Sequence, residues 1–307
     1  MRQSLCVITS NVEVVPGAYL MWLDAPDIAS SAQPGQFITV CCEGLVLRRP
    51  FSVHQVLSLS SPSTGEDSGK GEIALLFQVV GKGTFWLSQQ QAGNKIDVLG
   101  PLGKEFNIVP GSKNLLLVGG GIGIAPLIFL AQYASPQYQV TLIHGASTAA
   151  QIYPFLSLPL TINSSPSKGE EKGEGEKQGK LPSLPSGVQF IPVTEDGSVG
   201  QKGMATDILP DFLDWADQVF ACGPVDMYRA MALTLNPSPL KGEGKGEGEK
   251  RSNLKLKKCQ VSLEVRIGCG IGACHSCTIN TKHGLKQVCR DGPVFEMNDI
   301  LWQEVKI

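Results

Sequence analysis

Four cysteines, Cys269, Cys274, Cys277 and Cys289, are spaced C-x4-C-x2-C-x11-C, and the first two bracket Gly270-Ile271-Gly272-Ala273. That spacing matches the plant-type [2Fe–2S] ligand pattern, with three thiolates from one tight loop and the fourth from a later segment. A centre of this kind takes and gives single electrons, so these residues point to electron transfer. Structural zinc is the rival occupant, but zinc sites usually show two short cysteine pairs, whereas here three thiols cluster and one stands apart. Cys6, Cys41, Cys42 and Cys259 lie outside the spacing and read as strand residues.

Two glycine turns offer a second chemistry. The apolar run Leu115-Leu116-Leu117-Val118 leads directly into Gly119-Gly120-Gly121-Ile122-Gly123-Ile124-Ala125-Pro126. Glycines after a buried strand let backbone amides approach a pyrophosphate at a helix N-terminus. Pro126 stands where the dinucleotide fingerprint has its third glycine, and proline suits a first helical turn. Close strand–helix packing explains the same glycines without a ligand. The second turn, Cys222-Gly223-Pro224, ends the strand-like run 218–222. Cys222 reads equally as a small buried residue closing a strand. Both turns fall at the C-terminal ends of expected parallel strands, where ligands of open α/β sheets bind, and together they favour a nucleotide crevice.

Arg49-Pro50-Phe51-Ser52 offers a fixed cation, an aromatic face and a hydroxyl. On a regular strand Arg49 and Phe51 share one side and Ser52 the other. A guanidinium suits a flavin pyrophosphate and an aromatic ring can stack near the ligand, although an ordinary strand with one surface arginine has the same pattern. Gly81-Lys82-Gly83-Thr84 precedes a helical stretch and can present amides to the same pyrophosphate.

The surrounding pattern supplies the elements that hold these groups. Short β-rich runs at 6–15, 37–41, 51–57, 73–80 and 95–98, separated by Gly and Pro turns, read as an antiparallel barrel. From 113 to 266, strands expected at 114–118, 139–144, 188–192, 218–222 and 260–265 alternate with helical stretches at 126–134, 204–213 and 225–233, which reads as a parallel α/β sheet. Residues 267–307 carry the cysteines in little regular structure. Gly/Glu/Lys-rich stretches at 166–177 and 237–250, with a weaker echo at 62–66 and 69–72, contain almost nothing that can pack. They read as spacers inserted into exposed loops.

A chain of 307 residues can hold two sizeable cores. Its net charge of −2 gives no electrostatic footprint for nucleic acid. An odd nine cysteines, four at ligand spacing, fit a reducing compartment better than a disulfide scaffold. The start has no signal-like apolar run, and the apolar segment 115–131 is broken by glycines and Pro126, so no membrane span and a cytoplasmic location are expected.

The motifs Arg49-Pro50-Phe51-Ser52, Gly121-x-Gly-x-x-Pro126 and Cys222-Gly223-Pro224 resemble the successive signatures of the ferredoxin–NADP reductase superfamily, which pairs a flavin barrel with a nicotinamide domain. The cysteine block at 262–274 and the run Val288-Cys289-Arg290-Asp291-Gly292-Pro293-Val294-Phe295 closely resemble the dihydroorotate dehydrogenase B electron-transfer subunit family. The loop 194–203 is also similar. The likeness covers the chain apart from the inserts, and the cysteine block is its most specific part.

The resemblance implies an FAD-binding antiparallel β-barrel at 1–110, an NAD-binding α/β domain at 111–266 and a [2Fe–2S] segment at 267–307. Flavin contacts carry over to Arg49, Pro50, Phe51 and Ser52, to Leu76, Phe77 and Gln78, and to Gly83 and Thr84; the nucleotide site carries over to Gly121, Gly123, Pro126, Cys222, Gly223 and Pro224. Cluster ligation carries over to Cys269, Cys274, Cys277 and Cys289. Phe51 departs from the superfamily's frequent tyrosine and keeps the stacking face without the phenolic hydroxyl. The implied partner is the FMN-containing catalytic subunit that oxidises dihydroorotate to orotate in pyrimidine (UMP) biosynthesis, within a heterotetramer. Electrons then run from dihydroorotate through partner FMN, [2Fe–2S] and FAD to NAD⁺. Hydride transfer between flavin and nicotinamide needs no acid–base group, so His144, His275 and His283 are expected to be bystanders. A related NAD(P)H-dependent reductase subunit serving ferredoxin, sulfide or another partner is the alternative, and the choice between NAD and NADP stays open.

Overall fold

Alternating apolar residues in the first hundred positions fold into one curled antiparallel sheet. The structure, a computed structural model, describes residues 1–58, 71–155, 184–235 and 257–305. Strands β1 (Arg2–Val15), β2 (Ala18–Asp24), β3 (Phe37–Val40), β4 (Arg49–Ser52), β5 (Gln55–Ser58), β6 (Gly71–Gln78) and β7 (Lys95–Leu102) pair in the order β4-β3-β7-β1-β2-β6-β5. The short helices α1 (Pro26–Ala29) and α2 (Lys82–Ser88) accompany them. Edge strands β4 and β5 are separated in the chain by Val53 and His54 alone, so the chain passes between the two edges in two residues and the sheet curls into an open barrel. Ile8, Met21, Leu23, Ile38, Leu75 and Phe77 fill its interior.

Strand β2 has no counterpart among the expected runs. Its residues are buried on both faces, Met21 and Leu23 inside the barrel and Leu20 and Trp22 in a separate outer cluster. A two-sided apolar run therefore replaces the alternation that marks a half-exposed strand.

The second sheet has the order β11-β10-β9-β8-β12-β13-β16. Its strands β8 (Asn114–Gly120), β9 (Gln139–Ala146), β10 (Val188–Thr194), β11 (Gln201–Lys202), β12 (Gln218–Cys222) and β13 (Lys258–Ser262) are parallel. Helices α3 (Ile124–Ala134), α4 (Pro210–Leu213) and α5 (Val225–Leu235) lie between them in sequence. Leu115 and Leu117 pack on one face of β8 while Leu116 and Val118 pack on the other, as a parallel strand covered on both sides requires. The helix expected at 204–213 forms only over its last four residues: Met204 and Asp207 close a separate turn, and the helix begins at Pro210, which has no N–H with which to extend one from before it. The last parallel strand stops at Ser262, because the Leu263 amide turns to the Pro293 carbonyl.

The tail is more regular than its composition suggested. A hairpin of β14 (Thr278–Thr281) and β15 (Gly284–Gln287) leads to α6 (Val288–Asp291), and β16 (Val294–Glu296) adds antiparallel to β13. The low-complexity stretches lie outside the described residues, except Gly71 and Glu72. These two belong to β6 and are buried rather than in a loop. Among the described residues no helix is long and apolar enough to cross a membrane.

Buried polar side chains join the two sheets. Gln218 on β12 donates to Asn107 O and accepts from the Val109 amide, both at 2.9 Å, while Gln260 on β13 accepts from the Asn107 amide. Both backbone groups of Asn107 and the Val109 amide are thus satisfied by side chains of the parallel sheet. His54 and His144 are also buried at this seam.

Two consequences are measurable. Burial lowers the pKa of His54 and of His144 from 6.5 to about 4, against a carbonyl hydrogen bond that raises each. Above pH 6.5 neither the folded nor the unfolded chain holds these protons and stability is complete. As pH falls from 6.5 to 4 the unfolded chain takes up protons that the folded chain refuses, so stability falls by on the order of 3 kcal/mol per histidine. Calorimetric melting should show Tm dropping through that window; a flat profile would contradict neutral burial. Gly123 has ordinary helical backbone angles (φ −61°), yet a Cβ there would run into the Cys222 carbonyl. Gly123→Ala should therefore cost more than about 2 kcal/mol in a urea melt.

Candidate functional site

The cysteine loop is shaped by backbone that only a few residues adopt easily. Gly270 (φ 77°), Gly272 (φ 83°) and His275 (φ 59°) are left-handed, and they turn successive amides inward. Cys269 Sγ accepts from the amides of Ile271 (3.5 Å), Ala273 (3.3 Å) and Cys274 (3.4 Å). Cys289 Sγ accepts from Gly272 (3.2 Å), and Cys277 Sγ from Cys289 (3.4 Å). Hydrogen bonds from Ser276 and then Cys269 hold the exposed Cys274 thiol down to about 6. Burial, then its neighbour Cys277, pushes Cys289 up to about 12.

Backbone amide bonds of 3.4 Å thus link the cysteines in two pairs, Cys274 N–H to Cys269 Sγ and Cys289 N–H to Cys277 Sγ. Two thiol pairs joined by a loop whose amides point at sulfur fit a two-iron cluster, whose anionic sulfurs want such donors. Two buried polar atoms at this loop have no hydrogen-bond partner among the described residues: Thr39 Oγ1 and Gln287 Oε1. Thr39 lies against Gly270 and Gln287 against Gly272.

The loop is seated on the barrel strand beside Arg49-Pro50-Phe51-Ser52. Thr39 pairs with Pro50, Ile38 with Phe51, Val40 with Arg49 and Phe37 with Ser52. Ile38 and Val40 belong to the barrel interior, so Arg49 and Phe51 share that side while Pro50 and Ser52 share the face of Phe37 and Thr39. Phe51 meets Phe77 at a ring distance of 5.7 Å. The Arg49 stem crosses Gly83, where a Cβ would stand 2.9 Å from its Cγ, and its guanidinium donates to Leu47 O. Thr84 Oγ1 accepts from the amides of Val80 and Gly81, and the second of these removes one of the amide donors expected from that turn. On β6, Leu76 and Gln78 face outward, whereas the Phe77 side chain is buried in the barrel.

A cavity of about 440 Å³ opens between that face of β6 and the C-terminal ends of the parallel strands. Leu76, Gln78, Gly121 and Pro224 line it, together with Ser147, Tyr153, Glu195 and Thr206. Gly123, Pro126, Cys222 and Gly223 do not line it. Gly123 and Gly223 serve close approach of the two turns, Pro126 is buried in α3, and Cys222 is core, its thiol pushed far up by burial. His144 does line the cavity: it sits at the end of β9, with Nε2 2.9 Å from Gly121 O, so it supports the first glycine turn. His275 and His283 stay in the tail, outside the cavity lining. Tyr153 and His54 carried no sequence signal. Glu195 lay within the quoted loop 194–203, and its place at the C-terminal end of a parallel strand was the usable clue.

Comparisons with known proteins agree with this layout. The family model described as the iron–sulfur cluster binding domain of dihydroorotate dehydrogenase B matches residues 264–301. The electron-transfer subunit of dihydroorotate dehydrogenase B (NAD(+)) from Desulforamulus reducens is 36% identical, with 94% of this chain and 95% of that protein covered. The subunit of the same name from Caldanaerobacter subterraneus is 31% identical, covering 96% and 97%. Among solved structures, an NADH-dependent reduced ferredoxin–NADP oxidoreductase superposes with a TM-score of 0.72 at 25% identity over 98% of this chain and 91% of the other. A ferredoxin NADP⁺ reductase from Neisseria gonorrhoeae shares the fold at a TM-score of 0.55 and 16% identity, over 86% and 100%. At this identity and coverage, with the iron–sulfur family model matching the cysteine block, the chain belongs to the family of dihydroorotate dehydrogenase B electron-transfer subunits.

Proposed function

We propose that this chain carries electrons from the FMN of a dihydroorotate-oxidising catalytic subunit through a [2Fe–2S] cluster and FAD to NAD⁺, in pyrimidine biosynthesis. The observation that carries the reading is the two thiol pairs on an amide-lined loop, seated one strand away from Arg49-Pro50-Phe51-Ser52. When bound, FAD links two-electron chemistry at a nicotinamide to one-electron chemistry at an iron–sulfur cluster.

The chain's own residues would bind and orient. Cys269, Cys274, Cys277 and Cys289 would ligate the irons, and the amides on Cys269 and Cys289 would tune the cluster. Arg49 would meet the flavin pyrophosphate, Phe51 its apolar part, and Ser52, Gly83 and Thr84 its polar edges. On β6, Leu76 and Gln78 would offer side chains while Phe77 would contribute backbone alone. Gly121 and Pro224 would border the dinucleotide, with Gly123, Pro126, Cys222 and Gly223 shaping the two turns behind it. Among the described residues the lining holds the carboxylates of Glu195 and Asp226 and neither Lys nor Arg. That suits a free ribose hydroxyl better than a 2′-phosphate, and hence NADH over NADPH. No group in this arrangement is required to move a proton. The residue ranges 1–110, 111–266 and 267–307 would hold flavin, nucleotide and cluster in turn, with β16 of the last completing the sheet of the second.

An anaerobic visible spectrum with iron, sulfide and flavin analysis tests the reading directly. The expected result is one [2Fe–2S] cluster and one FAD per chain, with NADH reducing the flavin and a stable complex forming with a dihydroorotate-oxidising subunit. A colourless protein holding stoichiometric zinc, or a stable complex with a different oxidoreductase instead, would overturn it. Cys274→Ser should remove the cluster bands while FAD and its reduction by NADH persist; loss of both together would show that the two sites are not separable.

A further inference from the structure

Four hydrogen bonds run in series through the interior from the barrel to the first glycine turn. His54 stands two residues after Ser52, and its amide donates to Ala74 O on β6 at 2.9 Å, so its backbone is tied to β4 and β6. Its fully buried ring reaches out of the barrel, with Nδ1 2.8 Å from Ala125 O and Nε2 2.7 Å from the Tyr153 hydroxyl. A carbonyl only accepts, so Nδ1 carries the proton and Nε2 accepts from the Tyr153 O–H. The Tyr153 amide donates to His144 Nδ1 at 3.3 Å, which leaves the proton on Nε2, donated to Gly121 O at 2.9 Å. Gly121 and Ala125 flank the turn from β8 into α3, so both ends of the series arrive at the same backbone turn.

We propose that His54, Tyr153 and His144 form a buried latch that fixes the first glycine turn relative to the flavin strands, making the Tyr153 hydroxyl a positioning group for hydride transfer. This rests on the reading that FAD lies on β4 and β6 and the dinucleotide in the adjoining cavity. The two walls of that cavity come from different sheets: Leu76 and Gln78 from the barrel, Gly121 and Pro224 from the parallel sheet. A ligand held by one wall meets a ligand held by the other only if their spacing is kept, and transfer depends steeply on approach of reacting atoms to about 3–3.5 Å. The latch spans that gap, and every ring nitrogen in it has a partner. Breaking one bond leaves a buried acceptor unpaired, so the series shifts as a unit. The hydroxyl is separable from the ring, because the Tyr153 ring packs edge-on against Phe155 (4.9 Å) and His54 (5.3 Å), contacts that phenylalanine keeps.

The test uses the complete chain loaded with FAD and cluster. Tyr153→Phe should slow single-turnover reduction of the flavin by NADH by about tenfold or more, with full FAD content and an NADH Kd within about twofold of the parent. His54→Leu, which also loses the bond to Ala125, should slow it at least as much, and the double variant should be no slower than His54→Leu, because that change has already removed the bond to Tyr153. His54→Gln, whose amide can donate to Ala125 and accept from Tyr153, should restore most of the rate. Wild-type rates in Tyr153→Phe with only a lowered urea midpoint would overturn the proposal, leaving a purely structural bond. Loss of FAD, or a Kd change as large as the rate change, would also overturn it. Failure of the unmodified chain to be reduced by NADH would instead remove the functional reading on which the proposal stands.

Discussion

The nearness of the cysteine loop to the barrel depends on a glycine. Gly270 lies against Thr39, where a Cβ would stand 3.0 Å from the threonine methyl and 3.4 Å from Leu102, and its backbone is left-handed. Any other residue would push the loop outward and strain it at once. With glycine there, the loop rests on β3, whose neighbour in the sheet is the Arg-Pro-Phe-Ser strand about 4.8 Å away. Short distance between one-electron and two-electron stations is the property on which an electron conduit depends, and here it is set by packing.

The rest of the tail is tied down on both sides. Lys104, just after β7, donates its amide to Gly292, and Leu263, just after β13, donates to Pro293. Val294 packs with Phe106 and Phe220, so the tail is built into the cores of its neighbours. The two glycine turns show the same economy: Gly120 and Gly223 lie close against each other, and at Gly123 the Cys222 carbonyl of the facing turn leaves no room for a side chain. What these glycines permit first is backbone packing, and the ligand crevice is its outcome.

Much of the architecture was legible because the signals were local. The thiol spacing, the apolar runs of β8 and β12 and the punctuated runs of the barrel are each contained in a few consecutive residues. What escaped depends on neighbours remote in sequence. Strand β2 is covered on both faces, so it lacks the alternating mark of a strand. The helix expected at 204–213 gives way to a carboxylate–amide turn at Met204 and Asp207. Phe77 and Cys222 were in the right segments, but burial turns both side chains into core. His144 looked idle because the proposed chemistry needs no proton, yet a neutral imidazole can still hold a carbonyl in place. Tyr153 and His54 meet across about a hundred positions, which no periodicity can report.

The short strand β16 has one more effect. An open parallel sheet ends in strands whose amides and carbonyls are free to recruit another chain. Here one end is the two-residue β11, too short to template a partner, and at the other end β16 caps β13 in the antiparallel sense. The segment that carries the thiols is thus also a guard against aggregation, and a chain cut short before Val294 would present the edge of β13 to its neighbours.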